Sequence, residues 1–95
     1  MKQERSVRRR ERILDAAFTT FAGRGYREAS MDDIAAAAET SKGGVYFHFS
    51  TKESIFRELM RTTADKLVAK VERAVAAEDD PIARAEIAIK TVLAT

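Results

Sequence analysis

Two adjacent glycines, Gly43 and Gly44, sit near the head of the segment SKGGVYFHF, residues 41–49. Each costs a helix about 1 kcal/mol relative to alanine. A short helix that keeps both has a use for backbone brought close to something else. Just upstream, SMDDIAAAAET (residues 30–40) opens on a helix-capping serine and runs into small apolar residues. Residues 30–49 therefore read as two short helices joined by a tight turn, the second basic and glycine-rich at its start. The remainder of the chain has to hold, aim or connect that pair.

The other elements follow from periodicity. Residues 1–9 are polar and read as a basic, frayed N-terminal arm. From Arg10 to Arg24 the apolar residues Ile13, Leu14, Ala17, Phe18 and Phe21 form one stripe of an amphipathic helix. Gly25 is placed to end it in a left-handed conformation, with Tyr26 folding back on the core. Ser30 with Asp33 suits a capping box, and Asp32 and Asp33 complement the positive end of the second helix. That helix ends near Glu39, with Ile34, Ala35 and Ala38 as its buried edge. In the third helix Val45 and Phe49 are one turn apart and face the core. Lys42, Gly43, Tyr46 and Phe47 cover the neighbouring arc at about 100° per residue, and Phe47 is compatible with packing or exposure. Ser50 with Glu53 suggests a second capping box, opening a helix of about 28 residues. Its stripe, from Ile55 and Leu59 through Leu67 and Val71 to Val75, outruns what a three-helix core can cover. Pro81 breaks the pattern and can begin a fifth helix, with Ile82, Ala85, Ile89 and Val92 along one face.

The expected fold is all-α: a three-helix, homeodomain-like helix-turn-helix bundle over residues 10–60, a connecting helix and loop over 61–80, and over 81–95 the first helix of an incomplete C-terminal domain. There is no cysteine, hence no disulfide framework and no thiolate metal site. No run of about 18 apolar residues suggests a membrane span, and the N-terminus has no apolar signal-peptide core. The expectation is a soluble, intracellular, cytoplasmic protein.

Net charge is only +2, but it is unevenly spread. Residues 1–12 carry an excess of four positive charges, and Glu78, Asp79 and Asp80 cluster at the far end of the long helix. One basic end suits a polyanion; on charge alone a solvated arm and a solvated loop are the more ordinary reading.

The chemistry of residues 30–49 fits a duplex. A helix-turn-helix leads its second helix into the major groove. Gly43 and Gly44 permit close approach, Lys42 can reach a guanine edge or a phosphate, and Tyr46 can meet a phosphate or a thymine methyl. Ser30 and Ser41, at helix starts, suit phosphate contact as well as capping. Lys52 and His48 flank the exit of the third helix and suit backbone clamping, with packing as the alternative for His48. Arg8, Arg9 and Arg10 suit a minor groove or a disordered arm of non-specific attraction. His48 is the single histidine and lacks partners for a metal site or a catalytic triad. No nucleophile–base arrangement and no phosphate loop after a strand is present, so no enzymatic site and no cofactor is expected.

Taken in order, the motifs F-x-x-x-G-Y (Phe21–Tyr26), S-M-x-x-I-A (Ser30–Ala35), S-K-G-x-x-Y-x-H-F (Ser41–Phe49) and Lys52-Glu53 resemble the DNA-binding domain of the tetracycline-repressor (TetR) family of bacterial regulators. The resemblance covers residues 10–60. It implies a homodimeric repressor on a palindromic operator, with a C-terminal domain that binds a small-molecule inducer and supplies most of the dimer interface. It also implies that Lys42, Gly43, Gly44 and Tyr46 face bases or nearby backbone, and that Ser30, Ser41, His48 and Lys52 contact phosphates. Residues 81–95 would be only the first part of the regulatory domain. One departure is Glu39, where the family usually has glycine, so a left-handed backbone there would be strained. The competing reading is a helical protein-interaction module, based on the apolar stripes from Leu67 to Val75 and Ile82 to Val92.

Overall fold

A computed structural model describes residues 2–95. The described residues form α1 (Lys2–Arg24), α2 (Met31–Ala37), α3 (Lys42–His48), α4 (Lys52–Val75) and α5 (Pro81–Leu93), with no strand. They divide into two compact units, one running through Leu59 and the other from Met60 to Thr95.

In the first unit, α1, α2 and α3 pack on one another and on the first two turns of α4. Ile13, Ile34, Val45 and Ile55, one from each helix, are the largest fully buried side chains. Burying each such side chain is worth about 1.5–3 kcal/mol. Ala17, Ala35 and Ala38 let the helices approach closely around them. At the other end of α1, Phe21, Tyr26 and Phe56 form a ring cluster with centroids 5.1–5.9 Å apart. Gly25 ends α1 at φ +85°, and its amide donates to the Phe21 carbonyl, the left-handed stop expected there.

Three local expectations change. Residues 2–9 are the first turns of α1 rather than a frayed arm. They contain neither glycine nor proline, and Arg8 bridges Glu4 one turn back at 2.9 Å, a pairing that supports a helix. Phe18 is exposed, while Ala16 and Thr20 are buried. Phe18 lies about 100° around the helix from the Ile13–Ala17 line, and the Thr20 hydroxyl is satisfied by donating to the Ala16 carbonyl at 2.7 Å. The capping box of α4 is Thr51 with Ser54, each hydroxyl accepting from the other's amide, not Ser50 with Glu53. The Glu53 carboxylate pairs instead with Arg57 at 2.7 Å.

In the second unit, Arg84 donates to the Val75 and Glu78 carbonyls at 2.8 and 2.7 Å, closing the C-terminus of α4. Asp80 caps α5 by accepting from the Ala83 amide, and Pro81 occupies the first turn. Arg84 fixes which side of α5 turns inward: Ala83, Ile87, Ala88 and Thr91 are half-buried. Ile82, Ala85, Ile89 and Val92, the face read from the sequence, are exposed.

Candidate nucleic-acid interface

Between α2 and α3 the backbone is held at both ends. The Ser30 hydroxyl accepts from the Asp33 amide and the Asp33 carboxylate accepts from the Ser30 amide, both at 3.0 Å. These bonds, with Arg24 nearby, hold the Asp33 carboxyl below the usual carboxylate range. At the other end of α2, the Thr40 amide donates to the Ala35 carbonyl and the Glu39 amide to that of Ala36, at 3.0 and 3.1 Å. This is a Schellman closure, whose residue after the cap must be left-handed. That residue is Glu39, at φ +55°, so the strain expected at this non-glycine position is present. Ser41 then caps α3, its hydroxyl accepting from the Gly44 amide at 3.0 Å.

α3 has two distinct sides. Gly44, Val45 and Phe49 are buried, and His48 is half-buried. Lys42, Gly43, Tyr46 and Phe47 are exposed and contiguous, with Phe47 74% accessible. Gly43 has open space where a Cβ would be, apart from the Ser41 hydroxyl at 3.9 Å. Gly44 differs: a Cβ there would meet Thr40 Oγ1 at 2.5 Å and Ser41 Oγ at 3.3 Å. Of the two glycines, Gly43 lies on the outward arc, while Gly44 makes room for the turn and its cap.

The remaining candidates are distributed around this arc. Lys42 is bridged to Asp32 at 3.3 Å. Ser30 and Ser41 use their oxygens as cap acceptors. Lys52 turns inward, donating to the Tyr26 and Arg27 carbonyls at 2.6 and 3.3 Å with its ammonium 4.3 Å from the centre of the Tyr26 ring. It fastens the α1–α2 loop to α4. His48 Nε2 is buried without a hydrogen-bond partner. Desolvation, with Arg9 and Arg10 nearby, pushes the imidazole below its ordinary value. Arg10 is bridged to Glu58 at 3.2 Å and lies over the Phe49 ring, and Arg8 is bridged to Glu4. Arg8, Arg9 and Arg10 thus stand on a helix and point in different directions, so they do not form an extended arm for a minor groove.

Two residues outside the expected set join the arc. Phe47 is the most exposed aromatic residue on α3, and Arg5 sits with Arg9 beside it along one cleft. The sequence signals were the adjacency of Phe47 to the Lys42–Tyr46 arc and the four-residue spacing of Arg5 and Arg9. Among the described residues, no group of three or more histidine, cysteine or acidic side chains is arranged to hold a metal ion. No helix among them is long and apolar enough to cross a membrane.

Residues 13–59 match the family described as bacterial regulatory proteins, tetR family. The chain is 41% identical over 83 residues to the HTH-type transcriptional repressor KstR2 of Rhodococcus jostii (strain RHA1), covering 87% of this chain and 41% of that protein. It is also 41% identical over 59 residues to the A-factor receptor protein of Streptomyces griseus, covering 62% of this chain and 21% of the receptor. Among solved structures, the crystal structure of a probable transcriptional regulatory protein, RHA5900, aligns with a TM-score of 0.70 at 40% identity, over 86% of this chain and 44% of that one. The chain spans less than half the length of each of these proteins. The chain belongs to the tetR family of bacterial regulatory proteins, and its helix-turn-helix lies within the matched residues 13–59.

Proposed function

We propose that this chain is the DNA-reading part of a transcriptional repressor that binds double-stranded DNA sequence-specifically in the bacterial cytoplasm. The observation that carries this reading is the exposed Lys42–Gly43–Tyr46–Phe47 arc on α3, backed by buried Val45 and Phe49. A helix with one apolar back and one exposed donor-bearing face, preceded by a capped partner helix, suits the major groove. KstR2, a similar protein, is named a repressor, which supports the direction of regulation. Lys42 and Tyr46 contact bases or adjoining backbone, and Gly43 lets α3 approach. Ser30 and Ser41 add phosphate contacts at their helix starts, using hydroxyl hydrogens that the caps leave over. Lys52 and His48 act indirectly, the first by fastening the loop before α2 and the second by packing behind α3.

On the same reading the intact protein is a homodimer on a palindromic operator, held together by a C-terminal domain that answers to a small-molecule inducer. Two such readers would place their α3 helices about 34–36 Å apart, one turn of DNA. The proposed activity is binding, not catalysis.

The test is selection of bound sequences from random DNA by the intact protein, followed by Lys42→Ala and Tyr46→Ala on the selected site. Each lost base contact should cost about 1–3 kcal/mol while helicity and melting stay at wild-type values. Two variants that bind like wild type would show that another face is used. The exposed Ile82, Ile89 and Leu93 of α5 favour a second reading, a protein-interaction module. Salt separates the two: DNA binding weakens steeply as salt rises, and association through an apolar helix face does not.

A further inference from the structure

The N-terminal turns of α1 carry a feature that base reading by α3 does not use. Arg5 and Arg9 are one helical turn apart and exposed, and no carboxylate pairs with either among the described residues. Their neighbours on the same helix are matched: Arg8 with Glu4 and Arg10 with Glu58. The acidic residues of these turns, Glu4 and Glu11, lie about 100–160° around the helix from Arg5 and Arg9. Two like charges at this spacing destabilise a helix, so the pair works against the helix that displays it. The two arginines, with Gln3, Ser6 and the exposed Phe47 ring, line an open cleft of about 420 Å³. Phe47 is on the outward arc of α3, so the cleft adjoins the face proposed to enter the groove.

We propose that this cleft holds the sugar–phosphate backbone of the DNA strand bordering the groove occupied by α3, with Arg5 and Arg9 on phosphate oxygens and Phe47 against the deoxyribose. The proposal rests on the reading of α3 as the DNA-reading helix. A guanidinium offers a planar fork of donors that matches phosphate geometry, and a stiff helix presents two of them at a fixed separation. Phe47 has no donor and makes an apolar contact. The α1 extension becomes a structured anchor that sets the register of α3 without reading sequence, as backbone contacts do.

The experiment uses the intact protein and a duplex selected by it. Dissociation constants are measured across a salt series for wild type, Arg5→Gln/Arg9→Gln, Arg5→Lys/Arg9→Lys and Phe47→Ser. The glutamine pair should weaken binding roughly tenfold on selected and unrelated DNA alike and lower the log–log salt slope by about 1.8, two phosphates' worth. The lysine pair should restore the slope. Phe47→Ser should weaken binding with the slope unchanged. Hydroxyl-radical protection of the deoxyriboses flanking the α3 footprint should disappear in the glutamine pair. A glutamine pair with wild-type affinity and slope, a lysine pair that leaves the slope low, or an effect on oligomer mass in place of DNA binding would overturn the proposal. Wild-type protein indifferent to DNA would instead overturn the reading of α3, so the two failures are distinguishable.

Discussion

The Lys42 ammonium lies 3.3 Å from the Asp32 carboxylate, joining the first turn of α3 to the first turn of α2. Both side chains are more than half exposed, and a pair of this kind is worth about 0–1 kcal/mol. The bridge therefore constrains Lys42 weakly, and on the proposed reading of α3 a base or phosphate displaces Asp32 to engage it. Asp32→Asn should tighten DNA binding by up to about fivefold, roughly 1 kcal/mol, with a faster association rate at low salt. Titration of wild type and variant against the selected duplex checks this. Weaker binding by the variant would mean that Asp32 aims Lys42 rather than restrains it.

The two glycines of α3 should separate cleanly. Alanine at Gly43 enters open space, so Gly43→Ala should raise stability by up to about 1 kcal/mol through helix propensity. The added methyl stands on the outward arc and should impair DNA binding. Alanine at Gly44 would crowd Thr40 Oγ1 and Ser41 Oγ, the latter being the oxygen that accepts the Gly44 amide. Loss of such a cap costs about 1 kcal/mol, which cancels the propensity gain. Gly43→Ala should then melt several degrees above Gly44→Ala for a domain of this size. Thermal unfolding and duplex titration of both variants read the difference.

This contrast also shows what was legible in the sequence. The periodicity of Ile13, Ile34, Val45, Phe49 and Ile55 assigned the core of the first unit, because burial of one helix face leaves a regular trace. The Ser30–Asp33 capping box and the Gly25 stop followed from local backbone chemistry, whereas the left-handed turn at Glu39 was signalled only by the resemblance to a family that usually carries glycine there. The inward role of Gly44 was hidden, because only the position of the Thr40 hydroxyl distinguishes it from Gly43. Lys52 read as a phosphate clamp for a similar reason: its partners are main-chain carbonyls 25 and 26 residues away. The inward face of α5 turned on Arg84 reaching back to Val75, a long-range bond that no periodicity encodes.

Glu39 pays a conformational penalty that glycine would avoid. A left-handed backbone costs an L-residue about 1–2 kcal/mol, and glycine's greater freedom in the unfolded chain returns about 0.5–1 of that. Glu39→Gly should raise stability by about 0.5–1 kcal/mol and Tm by several degrees, with the helix boundaries unchanged. Denaturant unfolding with an unaltered m value is the measurement. A destabilised variant would show that the Glu39 side chain contributes a contact exceeding the strain.

His48 makes the first unit sensitive to acid. Its Nε2 is buried without a partner, beside Phe47 and Phe49. The charged groups facing it are Arg9 and Arg10 of α1, and Glu58 of α4 acts through its bridge to Arg10. Burial and the two arginines lower the native imidazole's pKa below the ordinary value of 6.5. As pH falls through that value the unfolded chain takes up a proton that the native chain does not. The unfolded state then binds more protons, so stability falls with pH. The loss starts near the ordinary value and levels off once pH is below the lowered native pKa. Phosphate groups brought close by DNA would oppose the arginines and raise the native pKa, so bound DNA should shrink this acid loss. His48→Gln should abolish the slope between about pH 7 and pH 5 in the free protein while leaving acid unfolding driven by Asp33 at lower pH. Chemical unfolding at several pH values, with and without duplex, gives the slopes, and an NMR titration of the single imidazole gives its native pKa. A native imidazole titrating at or above 6.5, or a slope that survives in His48→Gln, would show that the acid sensitivity has another source.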